Sequence, residues 1–237
     1  MLGIVFALGR PGSGKSTAAH RLAEVAWEKG LSAIRIGDYQ ILYQMFLKDT
    51  RRQRFTPTEK YEGFDVTDFS VLNEALQRLK GEVEQRIKRL RRLDDQLIII
   101  EFARDNYCQA LEFFGASLLQ KAYYVYINAD VQTCIEHIRC RANHPETSDD
   151  HYVSEHIMQT YYARDDQSRI QPHLCDEFGI SKDHFYMIDN TGSPQEFTGC
   201  MKPVINEIIC KLSREKFVGE RPPNRILQRL FAVAGLL

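Results

Sequence analysis

Nine residues near the N-terminus constrain this chain more than any others: Gly9-Arg10-Pro11-Gly12-Ser13-Gly14-Lys15-Ser16-Thr17. Gly9, Gly14, Lys15 and Ser16 satisfy G-x-x-x-x-G-K-[ST] without a gap. The flanks supply the context that this pattern requires. Gly3 to Leu8 is a short apolar run of the strand type, and Thr17 to Lys29 sets Ala18, Leu22, Val25 and Ala26 at helical spacing. Strand, loop and helix together form a phosphate cradle, because loop amides point inward and the helix N-terminus favours negative charge. In such a cradle Lys15 reaches the β- and γ-phosphates and the Ser16 hydroxyl serves Mg²⁺. Gly9, Gly12, Ser13, Gly14, Lys15, Ser16 and Thr17 are therefore the candidate nucleotide-binding residues. The competing explanation, a Gly-rich turn that matches by chance, would not bring both flanks with it.

Four further apolar runs read as strands: Ser32–Ile36, Gln96–Ile100, Ala122–Asn128 and His184–Ile188. Helical stretches separate them. That alternation predicts a five-stranded parallel sheet covered by helices on both faces, a three-layer α/β/α fold with right-handed crossovers. Ligands of such sheets bind beyond the strand C-termini. The chemically capable residues stand there: Asp38 after the second strand, Glu101 and Arg104 after the third, and Asp189-Asn190-Thr191-Gly192 after the fifth.

Two segments interrupt the alternation. Residues 40–95 hold a basic stretch, Lys48 to Arg54, and then a predicted long helix from about Asp68 to Arg92. Leu72, Leu76, Leu79, Val83, Ile87 and Leu90 form its apolar stripe, which predicts packing within the chain or across a homodimer. Thr67 or Asp68 is placed to cap its start. Residues 139–180, with Arg139, Arg141 and Arg164, have the charged content of a lid. The expected P-loop domain is 1–212. Residues 213–237 are expected as a C-terminal extension with an apolar helix over Ile226–Ala234.

Composition narrows the class. The 237 residues carry a formal net charge of −1, which gives no general attraction to nucleic acid or an acidic membrane. The six cysteines form no CxxC pair, and the histidines lack zinc-ligand spacing, so a disulfide scaffold or zinc site is not expected. No apolar run approaches the roughly 18–20 residues that span a bilayer. With no signal-peptide cleavage pattern at its start, the chain is expected to be soluble and cytoplasmic.

A phosphate loop alone does not choose among motors, switches and kinases. A guanine-specific switch needs an N-K-x-D sequence, and Asn128-Ala129-Asp130 lacks its lysine and one residue of spacing. Motor ATPases usually end a strand in paired acids, whereas Ile98-Ile99-Ile100-Glu101 ends in one. The chain resembles the nucleoside-monophosphate-kinase-like P-loop kinases, the group of adenylate, shikimate, gluconate and adenylylsulfate kinases. The loop Gly9 to Lys15 is similar to the adenylate-kinase form. Ile36-Gly37-Asp38, Glu101-Phe102-Ala103-Arg104, Arg139 to Pro145 and Asp189 to Ser193 follow in the order of that group's landmarks. Two positions depart from adenylate kinases: Glu101 replaces an aspartate, and His137 stands where an arginine often stacks on adenine.

The resemblance implies an ATP- and Mg²⁺-dependent kinase acting on a small-molecule acceptor. It implies Lys15, Asp38, Glu101 and Arg141 as catalytic residues, with Asp38, Arg104 and Arg164 on the acceptor. Ser16 and Glu101 would serve the metal. Arg139, Asn190 and Gly192 would join the loop in holding the nucleotide. Tyr39 to Leu42 offers no arginine after Asp38, which favours a hydroxyl acceptor over a phosphate. The residue-level alternatives are that Asp38 caps a helix, that Glu101 pairs with Arg104, and that the arginines are solvated helix-face groups. Two functional alternatives stand beside the kinase. One is a nucleotide or polynucleotide-end kinase that uses Arg51–Arg54, although nucleic acid is the less favoured partner. The other is a nucleotide-dependent interaction protein that presents its long helix.

Overall fold

The fold comes from a computed structural model that describes residues 2–219, apart from 60, 62, 91–94, 146, 148 and 149, and the side chains of 215–219. The expected helix at Ile226–Ala234 lies outside the described residues. In chain order the elements are β1 (Leu2–Leu8), α1 (Lys15–Glu28), β2 (Ser32–Gly37), α2 (Asp38–Lys48), β3 (Phe55–Pro57), β4 (Phe64–Val66) and α3 (Ser70–Arg89). There follow β5 (Gln96–Glu101), α4 (Tyr107–Glu112), α5 (Ala116–Leu119), β6 (Ala122–Asn128), α6 (Val131–Asn143), α7 (Glu155–Thr160), α8 (Gln167–Phe178), β7 (Phe185–Asp189) and α9 (Pro194–Gly219).

All five expected strands are present and parallel, in the order β2-β5-β1-β6-β7. Strand side chains alternate between faces, and this sorts the core into two layers. Ile4, Phe6 and Leu8 of β1 join the cluster built with α2, α3, α4 and α8, whereas Val5 and Ala7 join the cluster with α1 and α9. The inner strand β5 is buried throughout, as a strand covered on both faces must be. This is the three-layer P-loop NTPase fold. Because β1 and β5 are neighbours, the ends that carry Gly9 and Glu101 emerge side by side.

The long helix α3 spans Ser70–Arg89, starting two residues after Asp68; Arg92, its expected end, lies outside the described residues. Asp68 accepts the Ser70 amide at 3.0 Å and so serves its start. Val71, Leu72, Ala75, Leu76, Leu79 and Val83 are buried inside the chain against α2 and the sheet.

The hairpin β3–β4 was not expected from the sequence. Its three-residue strands are too short to show a period, and they are held by packing. Phe64 stacks on Phe46 at 5.0 Å and meets Phe55 edge-on at 5.3 Å. The basic stretch before it is built into the same corner. The Asp49 carboxylate accepts the amides of Gln53, Arg54 and Phe55. Arg54 pairs with Glu74 at 2.7 Å, and Arg52 lies over the Phe46 ring.

Within residues 139–180, α6 continues to Asn143, and α8 docks on α4 by burying Ile170 and Leu174. Helix α9 runs on without a break past Ser213.

Candidate active site

The loop between β1 and α1 is held in shape by residues distant in sequence. The hydroxyl of Tyr107, fully buried at the start of α4, donates to the Gly9 carbonyl at 2.7 Å and accepts the Gly9 amide at 2.9 Å. On the other flank the Asn190 side-chain amide donates to the Ser13 carbonyl at 2.8 Å. A ring nitrogen of His137 lies 2.9 Å from the Gly12 carbonyl. Gly12 has φ +79°, and a Cβ there would run into the Cys134 carbonyl of α6. Only glycine meets both conditions without strain.

Arg10 ties the loop to the segment that follows α7. Its Nε donates to the Tyr162 carbonyl at 2.8 Å, Nη1 donates to the Ala129 carbonyl at 3.0 Å, and Nη2 pairs with Asp165 at 3.0 Å. Asp165 also accepts the Tyr126 hydroxyl.

Lys15 opens α1 and donates through Nζ to the Arg10 carbonyl at 2.7 Å. Burial pushes its pKa down to about 8, against the opposing pull of Glu101. The ammonium is thus short of solvation and counter-charge, which is the condition of a group made to meet an anion. Burial likewise lifts the nearby Cys134 thiol to about 11, so at neutral pH it is protonated and not a nucleophile.

A cavity of about 710 Å³ opens at the strand C-termini. Gly12, Gly14, Lys15, Ser16, Thr17, Asp38, Glu101, Arg104, Arg141, Asn190 and Gly192 all line it, so most of the candidate residues converge on one space. Gly9 and Ser13, also of the loop, do not line it; both are buried, Ser13 fully. Arg139 and Arg164 stand outside the cavity and are exposed; Arg139 pairs instead with Glu155.

The carboxylates have partners that the sequence did not reveal. Asp38 is the first residue of α2, one past the cap position, which Gly37 holds. It pairs with Nη1 of Arg104 at 2.6 Å, and both side chains are nearly inaccessible, at 9% and 4%. Arg104 also donates to the Leu72 and Ala103 carbonyls. Glu101 pairs with Arg35 of β2 at 2.7 Å, not with Arg104. Arg141 reaches from α6 to the His151 carbonyl at 3.0 Å.

The far wall is made where residues 150–157 meet the β3–β4 hairpin. His151 stacks on Tyr39 with ring centroids 3.5 Å apart. Gly63 and Tyr152 form a parallel bridge, the Ser154 amide donates to Asp65 at 3.3 Å, and the Tyr61 hydroxyl donates to Asn143 at 2.9 Å.

Arg10, Tyr107, Arg35 and His151 escaped the sequence reading. No motif marks Tyr107, Arg35 or His151, and the partners of all four lie far away along the chain. Arg10 was the findable one, being a bulky charged residue inside a loop of small ones.

No protein-family model matches the chain, and no curated protein matches it. Solved structures do. Kti12 of Chaetomium thermophilum, in complex with ADP-AlF3, aligns with a TM-score of 0.51 at 13% identity, covering 88% of this chain and 99% of that one. Shikimate kinase of Acinetobacter baumannii in complex with shikimate aligns at 0.47 and 13%, covering 89% and 95%. A gluconokinase of Sinorhizobium meliloti 1021 aligns at 0.46 and 14%, covering 93% and 97%. At these identities the likeness is one of fold, and the Kti12 alignment carries it.

Proposed function

We propose that the protein is an ATP- and Mg²⁺-dependent kinase that transfers the γ-phosphoryl group to a hydroxyl of a small molecule. One juxtaposition carries the proposal: the phosphate loop, with its under-solvated Lys15, shares a cavity with Glu101 and with the buried Asp38–Arg104 pair. A second carboxylate fixed beside the phosphate loop, besides the one suited to the metal, supplies the group that an acceptor hydroxyl needs.

The loop amides and Lys15 take the β- and γ-phosphates, and the lining residues Asn190 and Gly192 border the nucleoside end. Asp38, fixed by Arg104, orients the acceptor hydroxyl. The hydroxyl oxygen bonds to the γ-phosphorus, the bond from that phosphorus to the β,γ-bridging oxygen breaks, and ADP departs with the electron pair. The hydroxyl proton passes to the Asp38 carboxylate. Arg141 adds positive charge over the transferring group. Arg139 and Arg164, outside the cavity, have no part in this arrangement.

Ser16 and Glu101 fit Mg²⁺, since both are hard oxygen donors lining the cavity and Arg35 bonds Glu101 through Oε1. They would hold the ion, which would neutralise charge on the phosphates.

Neither alternative gains support. Arg51–Arg54 do not line the cavity, and the apolar face of α3 is spent inside the chain. No helix among the described residues is long and apolar enough to cross a membrane. The test is acceptor-stimulated ADP release across a library of hydroxyl metabolites, with Lys15→Ala as the control. Stimulation lost in the variant is the expected result; equal ATP turnover by the variant would reject the proposal.

A further inference from the structure

We infer that the acceptor is an uncharged or positively charged hydroxyl compound with an apolar or aromatic face, and not one that bears a phosphate or carboxylate. The inference rests on the kinase reading above and deepens it.

The charges of the acceptor half carry it first. Asp38, Asp65 and Asp150 line that half, against the guanidinium groups of Arg104 and Arg141. Even when Arg141 is counted with the acceptor rather than the phosphates, carboxylates outnumber cations. An anionic acceptor would lose its water to enter a space of its own sign, whereas a cation or a neutral molecule would not.

The state of Arg104 is the second observation. A guanidinium that recognises a carboxylate or phosphate presents two parallel N–H groups. Here Nη1 is taken by Asp38 and the Ala103 carbonyl, and Nη2 by the Leu72 carbonyl. Nε is buried with no hydrogen-bond partner, on a side chain only 4% exposed. Three of the five N–H groups are thus spent, both of those on Nη1 among them, and the Nε–H and one Nη2–H remain. An anion on the Nη1–Nη2 edge would have to displace Asp38 or the Ala103 carbonyl.

The walls are the third. Tyr39, Phe64, Val66, Tyr152, Val153 and Tyr162 line the same half. They offer flat, apolar surface to a ligand and few groups that replace an anion's hydration.

The experiment compares three phenols that share a ring and differ in charge: tyrosol (neutral), tyramine (cationic) and para-hydroxyphenylacetate (anionic). Each is titrated by saturation-transfer NMR into the full chain loaded with ADP and Mg²⁺, and each is assayed for phosphoryl transfer from ATP. Tyrosol and tyramine are expected to bind at least about tenfold more tightly than the acid. Asp65→Asn keeps the oxygen that accepts the Ser154 amide while removing the charge, and it should narrow the tyramine-to-acid ratio by about threefold. Equal or tighter binding of the acid, or binding by none of the three, overturns the inference. The charge order without transfer would uphold the charge preference of the site, while absence of acceptor-stimulated ADP release across the metabolite library would remove the kinase reading. Transfer that prefers the acid would overturn the inference and uphold the kinase reading.

Discussion

The Tyr107 hydroxyl and the Gly9 peptide satisfy each other in both directions, the hydroxyl giving its proton to the carbonyl and receiving that of the amide. One side chain thereby occupies the donor and the acceptor of the residue that follows β1. Without such a partner, the turn would leave two buried backbone groups unmatched.

Tyr107→Phe removes that oxygen while keeping the ring. Each orphaned backbone group costs about 1–3 kcal/mol. We expect a lower urea midpoint and weaker nucleotide binding, read by denaturation and by titration with ADP and Mg²⁺. A loss of stability with unchanged nucleotide affinity would make Tyr107 a core residue with no bearing on the loop.

Gly12→Ala places a methyl group against the Cys134 carbonyl at a φ that L-residues avoid. The expected cost exceeds about 1 kcal/mol, and the loop is expected to lose its phosphate geometry. Calorimetric titration should find nucleotide affinity reduced at least tenfold. Parent-like affinity would mean that the loop shifts freely relative to α6.

Lys15 is held at a pKa of about 8 in the folded protein, against an ordinary 10.5. Between those values the unfolded chain keeps a proton that the folded one has shed, so stability rises with pH across that window. The cost of burying the ammonium is fully present below pH 8 and is relieved towards 10.5. Lys15→Met should therefore be more stable than the parent at neutral pH, by up to about 3 kcal/mol, with the gain shrinking in alkaline buffer. Urea midpoints at the two pH values test this. A gain independent of pH would assign it to packing.

The Asp38–Arg104 pair is buried, and breaking it from either side is not equivalent. Arg104→Met leaves an uncompensated buried carboxylate, which costs about 3–5 kcal/mol. Asp38→Asn keeps hydrogen-bonding capacity and should cost less. Adding Asp38→Asn to Arg104→Met should restore part of the loss. In the transfer assay Asp38→Asn should slow turnover by about 10²–10⁴-fold while nucleotide affinity holds. A parallel fall in both would reduce Asp38 to a structural role.

The sheet was legible in the sequence because a parallel strand covered on both faces is an uninterrupted apolar run, and Leu97 to Ile100 is such a run. The loop was legible because its function demands particular residues at fixed spacing. The hairpin was not, since Phe55 and Phe64 act through a three-ring cluster with Phe46, and no local period records that. Charge pairing was the least legible. Asp38 and Arg104 stand 66 positions apart, as do Arg35 and Glu101, and nothing in a linear reading assigns Arg104 to one acid rather than the other. Arg139 illustrates the converse: helical spacing put it beside Arg141 in sequence but on the outer face of α6.

Arg10 fastens the phosphate loop to Ala129, Tyr162 and Asp165, residues more than a hundred positions downstream. The loop is contiguous on paper, yet its shape is a property of the whole domain. Residues 1–30 transplanted onto a foreign sheet would carry the letters of the motif without its curvature, and a protein shortened ahead of Tyr162 would forfeit the anchorage that its first thirty residues depend on.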